Sequence, residues 1–279
     1  MTYQRIYLEI TDVCNLNCPF CLQTSRKPRF MSLDEVAHVL REIDDQTEHL
    51  YLHLKGEPTL HPELKAIMDL AYDHHKKVHL VTNGTRLSAL DFDLIAHPTL
   101  SSLAISLQCV QTLSDPERQT YLKNLENLII RSESAPFSLF LRVWSENNEE
   151  LLNWLRTVLK VDFQYHPSKH RIQIRKNLAL DFDKEFQWPS LNNPFIGDIG
   201  HCYGGLKMMA ILVDGTLSPC CLDNDGDIAL GNLFETPFKT LVSSERYQRF
   251  VSEMASNHLC EPLCQHCTYH LKHKKIGLG

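Results

Sequence analysis

Short β-rich runs alternate with helical stretches through the first two thirds of the chain. Helix-start signals lie between the runs, because Ser32 with Glu35 and Ser114 with Glu117 both have capping-box spacing. Repeated strand–helix units predict parallel strands joined by right-handed crossovers, as in an open doubly wound sheet or a partial barrel. The alternation does not choose between these two. The six strand candidates are IYLEI, LYLHL, VHLVT, LAISL, LFLRV and IQI.

Unusual residues follow the first four of these strands. CNLNCPFC (14–21) follows the first strand, KGEP (55–58) the second, NG (83–84) the third and QC (108–109) the fourth. In both candidate architectures the carboxyl ends of the strands form the edge at which ligands bind. We therefore expect one functional site at this edge, built from four loops.

The first loop carries three cysteines, Cys14, Cys18 and Cys21, in a C-x3-C-x2-C arrangement. A structural zinc site normally takes four ligands, and this loop has no fourth Cys or His. Three thiolates suit a [4Fe-4S] cluster with one iron left open for a substrate or cofactor. A zinc site and three structural thiols are the alternatives.

Composition narrows the class of protein. The chain has 279 residues, ten cysteines and a net charge of −6, which gives no electrostatic reason for binding nucleic acid or an anionic membrane. Residues 1–10 enter a strand pattern without a signal-peptide core, and the longest apolar run, MMAILV (208–213), is too short to span a bilayer. We expect a cytoplasmic protein, in whose reducing environment clustered cysteines bind metal more often than they pair.

The motif CNLNCPFC after a first strand resembles that of the radical S-adenosylmethionine (SAM) superfamily, with the aromatic Phe20 before the last cysteine. The resemblance implies an α/β fold, a partial (β/α)6 TIM-like barrel over residues 1–180. It implies that Cys14, Cys18 and Cys21 bind a [4Fe-4S] cluster whose open iron is chelated by SAM, and that Phe20 belongs to the cofactor site. It also implies an electron donor such as flavodoxin or ferredoxin.

The same resemblance assigns further SAM contacts. KGEP resembles the family's G-G-E motif, so Gly56 and Glu57 are expected to contact the methionine part of SAM, although Lys55 replaces the first glycine. Ser106 and Gln108 stand where the family often binds the ribose hydroxyls. Structural packing is an equally good explanation for these last two residues.

Two other residues near this edge also have two explanations. Arg142, in LFLRVWSEN, places a charge inside an apolar strand, so we expect it either to reach the SAM carboxylate or to be paired structurally. Cys109 at the rim of the site is a candidate catalytic hydrogen-atom donor to a substrate radical, and a small buried cysteine is the alternative.

The C-terminal third holds six cysteines. Their spacing resembles that of the SPASM/Twitch extension of radical SAM enzymes. Twelve residues separate Cys202 from Gly215, four separate Gly215 from Cys220, and a C-x2-C pair follows much later. Six cysteines fit its one-cluster Twitch form, which carries an auxiliary [4Fe-4S] cluster; a four-cysteine zinc ribbon is the alternative. The expected ligands are Cys202, Cys220, Cys264 and Cys267, with Cys221 or Cys260 as possible substitutes.

A change in composition marks the boundary between the two parts. Residues 181–200 are rich in Pro, Asn and Gly and are predicted to form a linker. Residues 201–279 are expected to form a small α+β Twitch-like domain with a hairpin turning at Asp214-Gly215. DNDGD (223–227) is predicted to be a simple turn, because it lacks the later ligands of a calcium loop.

These patterns together predict a radical SAM oxidoreductase or maturase. We expect it to cleave SAM reductively and to abstract a hydrogen atom from a peptide or small molecule, for an oxidative modification. A fully ligated auxiliary cluster favours oxidation, because it has no iron free to bind substrate. The alternatives are a redox-neutral epimerisation of a peptide and a non-catalytic zinc-binding interaction protein.

Overall fold

The computed structural model describes residues 2–22, 24–89, 92–144, 148–165, 171–184 and 187–273. In this part of the chain one nine-stranded sheet has the order β6-β7-β5-β4-β3-β2-β1-β8-β9. The strands are β1 Arg5–Leu8, β2 His49–Tyr51, β3 Lys77–Thr82, β4 Leu100–Ser106, β5 Ser138–Val143, β6 Arg171–Arg175, β7 Leu178–Phe182, β8 Met208–Ile211 and β9 Leu217–Ser218.

Strand order decides between the two architectures that the sequence left open. Strands β1 to β5 and β7 are parallel and lie side by side in chain order. A doubly wound sheet would reverse its order at a switch point, whereas an unreversed order winds the sheet toward a barrel. The prediction of a partial (β/α)6 TIM-like barrel is confirmed.

The helices cover the outer face of this barrel and follow from local signals. Both predicted capping boxes are present, at the starts of α1 and α4. Val36, Val39 and Leu40 of α1 are fully buried. In the described ranges, no helix combines the length and apolar character that crossing a membrane requires. The helices are α1 Leu33–Glu42, α2 Leu64–Asp73, α3 Phe92–Ile95, α4 Asp115–Arg131, α5 Glu149–Leu159, α6 Phe238–Ser243, α7 Glu245–Ala255 and α8 Pro262–Gln265.

The sixth predicted strand, IQI (172–174), is not the sixth parallel strand. It lies in β6, which pairs antiparallel with β7 at the edge of the sheet, while β7 pairs in parallel with β5. The run LALDF (178–182) was missed as a strand. Leu178, Ala179 and Leu180 are all fully buried, and such continuous burial is typical of a parallel strand covered on both faces.

The sheet continues without interruption from the barrel into the C-terminal segment. The predicted linker begins inside β7, whose last residues are Asp181 and Phe182. The predicted hairpin at Asp214-Gly215 is confirmed as β8–β9, and Gly215 has the positive φ of +85° that such a turn requires. Strand β8 then pairs in parallel with β1. The division of the chain at residues 180 and 201 stays a prediction.

Candidate active site and auxiliary cavity

The three cysteines of the first motif lie on the loop that follows β1, at the carboxyl edge of the sheet. Cys14 is exposed, Cys21 is half-buried and Cys18 is buried. The Cys21 N–H donates to the Cys18 carbonyl at 3.0 Å, which tightens the loop. At its base, the Asp12 carboxylate accepts from the Arg29 N–H at 2.7 Å. One short loop therefore carries all three thiols at the carboxyl edge of the sheet.

Gly56 packs directly against the base of this loop. Its φ is +68°, and a Cβ there would lie 2.4 Å from the Thr11 carbonyl oxygen and 2.8 Å from the Asp12 Cα. The next N–H, of Glu57, donates to the Val13 carbonyl at 2.8 Å. Only glycine allows the KGEP turn to approach the cysteine loop so closely.

The Glu57 carboxylate is buried and holds neighbouring loops together. It accepts from the Thr59 N–H and hydroxyl at 3.0 and 2.6 Å, from the Thr82 hydroxyl at 2.6 Å and from the Asn83 N–H at 2.7 Å. The Asn83 amide in turn lies 3.9 Å from the Cys14 sulfur. All these partners belong to the protein, so a direct contact between Glu57 and SAM stays a prediction.

Lys55, which replaces the family's first glycine, contacts the cysteine loop. Its ammonium group donates to the Cys21 sulfur at 3.3 Å and to the Leu22 carbonyl, and it lies 3.9 Å from the centre of the Trp188 ring. The side chain is buried, and this burial lowers its pKa. Sequence reasoning missed the contacts of Lys55 with Cys21 and Trp188, because only folding brings these residues together.

Cys109 lies beside the cysteine loop. Its sulfur is 3.9 Å from that of Cys18, and its side chain is buried. The hydrogen bond to Cys18 and burial raise the pKa of the Cys109 thiol, so it keeps its proton. A protonated thiol next to Cys18, a predicted cluster ligand, is compatible with both explanations given for Cys109, packing and hydrogen donation.

The other predicted SAM contacts lie at the same edge. Ser106 ends β4, and the side chain of Gln108 has a buried Oε1 without a hydrogen-bond partner in the described part of the chain. Such an acceptor fits a ligand with hydroxyl groups. Phe20 is half-buried on the cysteine loop. Arg142 is in register with Ser106, but its electrostatic neighbours are Asp181, Tyr7 and other residues away from that loop.

Four of the six C-terminal cysteines line one cavity. Its walls include apolar side chains such as Phe250 and Met254. Burial raises the pKa of the Cys267 thiol to about 11, so the ligands would lose protons only as a metal binds. Four thiols on the lining of one cavity match the number of ligands that a fully ligated iron–sulfur cluster needs. The four are Cys202, Cys220, Cys264 and Cys267.

The two remaining cysteines of this group lie outside the cavity lining. Cys221 packs against Tyr7 and Met208, but burial and the charge of Cys221 together raise the pKa values of Cys202 and Cys267, two cysteines of the cavity lining. Cys260 is half-buried and contacts the main apolar core. Neither thiol lines the cavity, but both lie close to thiols that do.

The DNDGD turn joins the two cysteine-bearing regions. The Asp225 carboxylate accepts from the Thr24 hydroxyl at 2.5 Å and from the Ser25 N–H at 3.1 Å, just after the cysteine loop. Nearby, Arg26 forms an ion pair of 2.7 Å with the fully buried Glu9, which also accepts from the Val213 N–H at 3.0 Å. The turn was correctly predicted, but no local signal indicated that it docks on the first motif.

Two family models match the chain. Residues 8–136 match the radical SAM superfamily, and residues 202–268 match the SPASM iron–sulfur cluster-binding domain. Together they account for both cysteine groups.

Curated relatives match part of the chain. It is 34% identical over 137 residues to GTP 3',8-cyclase of Mannheimia succiniciproducens, which covers 45% of this chain and 39% of that protein. It is 34% identical over 83 residues to mycofactocin maturase MftC of Mycolicibacterium smegmatis, covering 29% of this chain and 21% of the maturase. The matches thus span about two fifths or less of these relatives.

Solved structures share the fold over nearly the whole chain. BtrN in complex with AdoMet and 2-DOIA is 14% identical with a TM-score of 0.58, covering 96% of this chain and 94% of that chain. Streptococcus suis SuiB bound to precursor peptide SuiA is 14% identical with a TM-score of 0.61, covering 99% and 74%. At these identities the likeness shows the fold alone.

Proposed function

The chain belongs to the radical SAM superfamily, with a C-terminal SPASM-type domain, and on that premise we propose that it cleaves SAM reductively and abstracts a hydrogen atom from its substrate. Its cofactors are a SAM-binding [4Fe-4S] cluster, SAM and an auxiliary iron–sulfur cluster. When bound, the SAM-binding cluster supplies the electron that generates a 5'-deoxyadenosyl radical. The observation that carries the proposal is the loop that presents Cys14, Cys18 and Cys21 without a fourth cysteine of its own.

The residues around this loop have distinct proposed roles. The three thiols hold the catalytic cluster, and Lys55 donates to one of them, on Cys21. Gly56 lets the turn after β2 approach the loop, and Glu57 fixes that turn to the end of β3. The unpartnered Oε1 of Gln108 supports a hydroxyl-bearing ligand at the same edge. Together these contacts would position SAM beside the open iron.

The auxiliary cavity supports an oxidative outcome. Four cysteine ligands would leave no coordination site for substrate. The remaining uses of such a site are structural support and acceptance of an electron. We therefore assign a net oxidation that consumes SAM as a cosubstrate, with one 5'-deoxyadenosine formed per product.

The substrate is proposed to be a small molecule, with a peptide as the second candidate. The fold likeness to BtrN, solved with AdoMet and 2-DOIA, extends over 94% of that chain and supports the first. The likeness to SuiB bound to precursor peptide SuiA supports the second. Both matched families are consistent with iron–sulfur chemistry, so a zinc-binding interaction protein has no support from them.

SAM cleavage tests the core of this proposal. Anaerobically reconstituted protein, reduced with dithionite or flavodoxin, is expected to bind about eight irons per chain and to release 5'-deoxyadenosine. Cys18→Ala combined with Cys109→Ala is expected to abolish that release, because the double variant also removes the neighbouring thiol that could replace Cys18. Cys109→Ala alone, which keeps all three cysteines of the loop, is the matched control.

Two results would contradict the proposal. Release of 5'-deoxyadenosine by the double variant at the wild-type rate would show that Cys18 is not a ligand of the catalytic cluster. Zinc without iron in the reconstituted wild-type protein would refute the proposal that it is a radical SAM enzyme. A product isomeric with its substrate would instead replace oxidation by a redox-neutral reaction.

A further inference from the structure

Cys18 faces a thiol that is distant from it in the sequence. Its sulfur lies 3.9 Å from the sulfur of Cys109, 91 residues further along the chain. Both side chains are buried, with 7% and 5% of their surfaces exposed. Atoms at this separation are in contact, so folding has placed a second sulfur against a predicted cluster ligand.

The other two thiols of the loop contact different groups. The Cys14 sulfur lies 3.9 Å from the Asn83 amide nitrogen, and the Cys21 sulfur accepts from the Lys55 ammonium group at 3.3 Å. In the described part of the chain, Cys18 is therefore the thiol of this loop that contacts another thiol. The sequence alone would instead favour a pair within the C-x3-C-x2-C motif, because those cysteines are close along the chain.

Cys109 is held by a helical turn, whereas Cys18 lies on a loop. Cys109 belongs to a 3-10 helix, Leu107–Thr112, that follows β4 directly, and its carbonyl accepts from the Thr112 hydroxyl at 2.7 Å. A disulfide requires the two sulfurs to approach from 3.9 Å to about 2.05 Å. Rotation of a cysteine side chain between staggered rotamers moves its sulfur by about 3 Å, so this approach needs no change in the sheet.

We propose that Cys109 is a resolving cysteine, which forms a disulfide with Cys18 when hydrogen peroxide has removed the catalytic cluster. Peroxide oxidises one of the two thiols to a sulfenic acid and is itself reduced to one water. The other thiol displaces the hydroxyl group, which forms the S–S bond and releases a second water. The two sulfurs together lose two electrons and two protons, and peroxide accepts both. A dithiol reductant reverses the reaction and restores the two thiols.

This disulfide protects a predicted iron ligand from permanent damage. A sulfenic acid that finds no thiol is oxidised further to a sulfinic acid, which dithiols do not reduce. The disulfide stops the oxidation of Cys18 at a reversible stage, so its sulfur can bind iron again after reduction. The pairing rests on the geometry of the two thiols, while the benefit of protecting Cys18 rests on the proposed function.

Peptide mapping of the wild-type holoenzyme tests the pairing. The protein is treated with excess hydrogen peroxide in the absence of oxygen, alkylated and digested with trypsin without a reductant. All three cysteines of the loop lie in the tryptic peptide 6–26, and Cys109 lies in the peptide 87–118. A cross-link between these peptides, assigned to Cys18 by fragmentation, is expected to contain most of Cys18. Dithiothreitol should abolish it.

The Cys109→Ser variant tests the protection. Without the second thiol, the sulfinic acid at Cys18 is expected to rise about fivefold over the wild type. After reduction and reconstitution, the wild type should regain about eight irons per chain and the variant about four. Cys260→Ser, which removes a half-buried thiol near the other end of the chain, is the control and should behave like the wild type.

Three results would overturn the proposal. The first is a disulfide within peptide 6–26, from Cys18 to Cys14 or Cys21, that contains most of Cys18 in the wild type. The second is a Cys18 that stays a free thiol after the cluster is lost. The third is equal sulfinic acid at Cys18 in the wild type and in Cys109→Ser. Release of 5'-deoxyadenosine before the peroxide treatment tests the proposed function separately, so the failure of one proposal is distinguishable from that of the other.

Discussion

Replacing Gly56 by alanine should displace the loop that carries the first three cysteines. The new methyl group would lie 2.4 Å from the Thr11 carbonyl oxygen and 2.8 Å from the Asp12 Cα, both of them backbone atoms. To reach even 3.0 Å from that oxygen, the two segments must separate by about 0.6 Å. The loop begins only two residues after Asp12, so we expect its thiols to move as well.

Two contributions to the cost can be separated. The positive φ of Gly56, +68°, costs about 1–2 kcal/mol for any residue with a Cβ. The forced backbone shift costs about 1–3 kcal/mol more. The matched control is Gly226→Ala, which has a similar φ of +77° but whose Cβ meets only side-chain atoms, at 3.2 and 3.3 Å. The control therefore measures the first contribution almost alone.

The assays are urea unfolding and iron content after anaerobic reconstitution. Gly56→Ala is expected to lose about 2–5 kcal/mol of unfolding free energy and Gly226→Ala about 1–2 kcal/mol. Iron should fall from about eight to about four per chain only in Gly56→Ala, because Gly56 is not among the residues that line the auxiliary cavity. Equal stability and equal iron content in the two variants would refute the argument from close approach.

Three further predictions concern Lys55, Cys109 and His79. Lys55→Met should lower the reduction potential of the catalytic cluster, because it removes the cationic donor 3.3 Å from the Cys21 sulfur; an unchanged potential in an EPR-monitored titration would contradict this. Cys109→Ala should leave product and rate unchanged if the buried thiol only packs, whereas a changed product would identify it as a hydrogen donor. Burial lowers the pKa of His79 from 6.5 to about 4 in the folded protein. As the pH falls, His79 is therefore protonated at a higher pH in the unfolded chain than in the folded protein. The free energy of unfolding should therefore decrease as the pH falls from 6.5 to about 4, and it should decrease less steeply in His79→Asn.

The chemistry of the first motif could be predicted from the sequence because it depends on near neighbours. Cys14, Cys18 and Cys21 are seven residues apart at most, and one loop after a strand necessarily presents them together. The capping boxes at Ser32 and Ser114 and the hairpin at Asp214-Gly215 are equally local. In each case the interacting atoms belong to residues only a few positions apart, so spacing and residue type were enough.

What the sequence could not decide depends on the pairing of distant segments. The direction of IQI was misjudged because an edge strand and a central strand carry similar apolar residues, and only the partner strand differs. The contacts of Lys55 with Trp188 and of Asp225 with Thr24 join residues 133 and 201 positions apart. No local propensity encodes such separations.

The amino-acid sequence by itself thus determined which thiols lie together, where the helices begin and that the strands are largely parallel. Only the tertiary structure decided that the strands keep their chain order and that β8 extends the barrel sheet beside β1. The physical reason is that local hydrogen bonds and steric limits act over a few residues. Strand order and side-chain surroundings are instead selected by burial of the whole apolar core, to which every segment contributes at once.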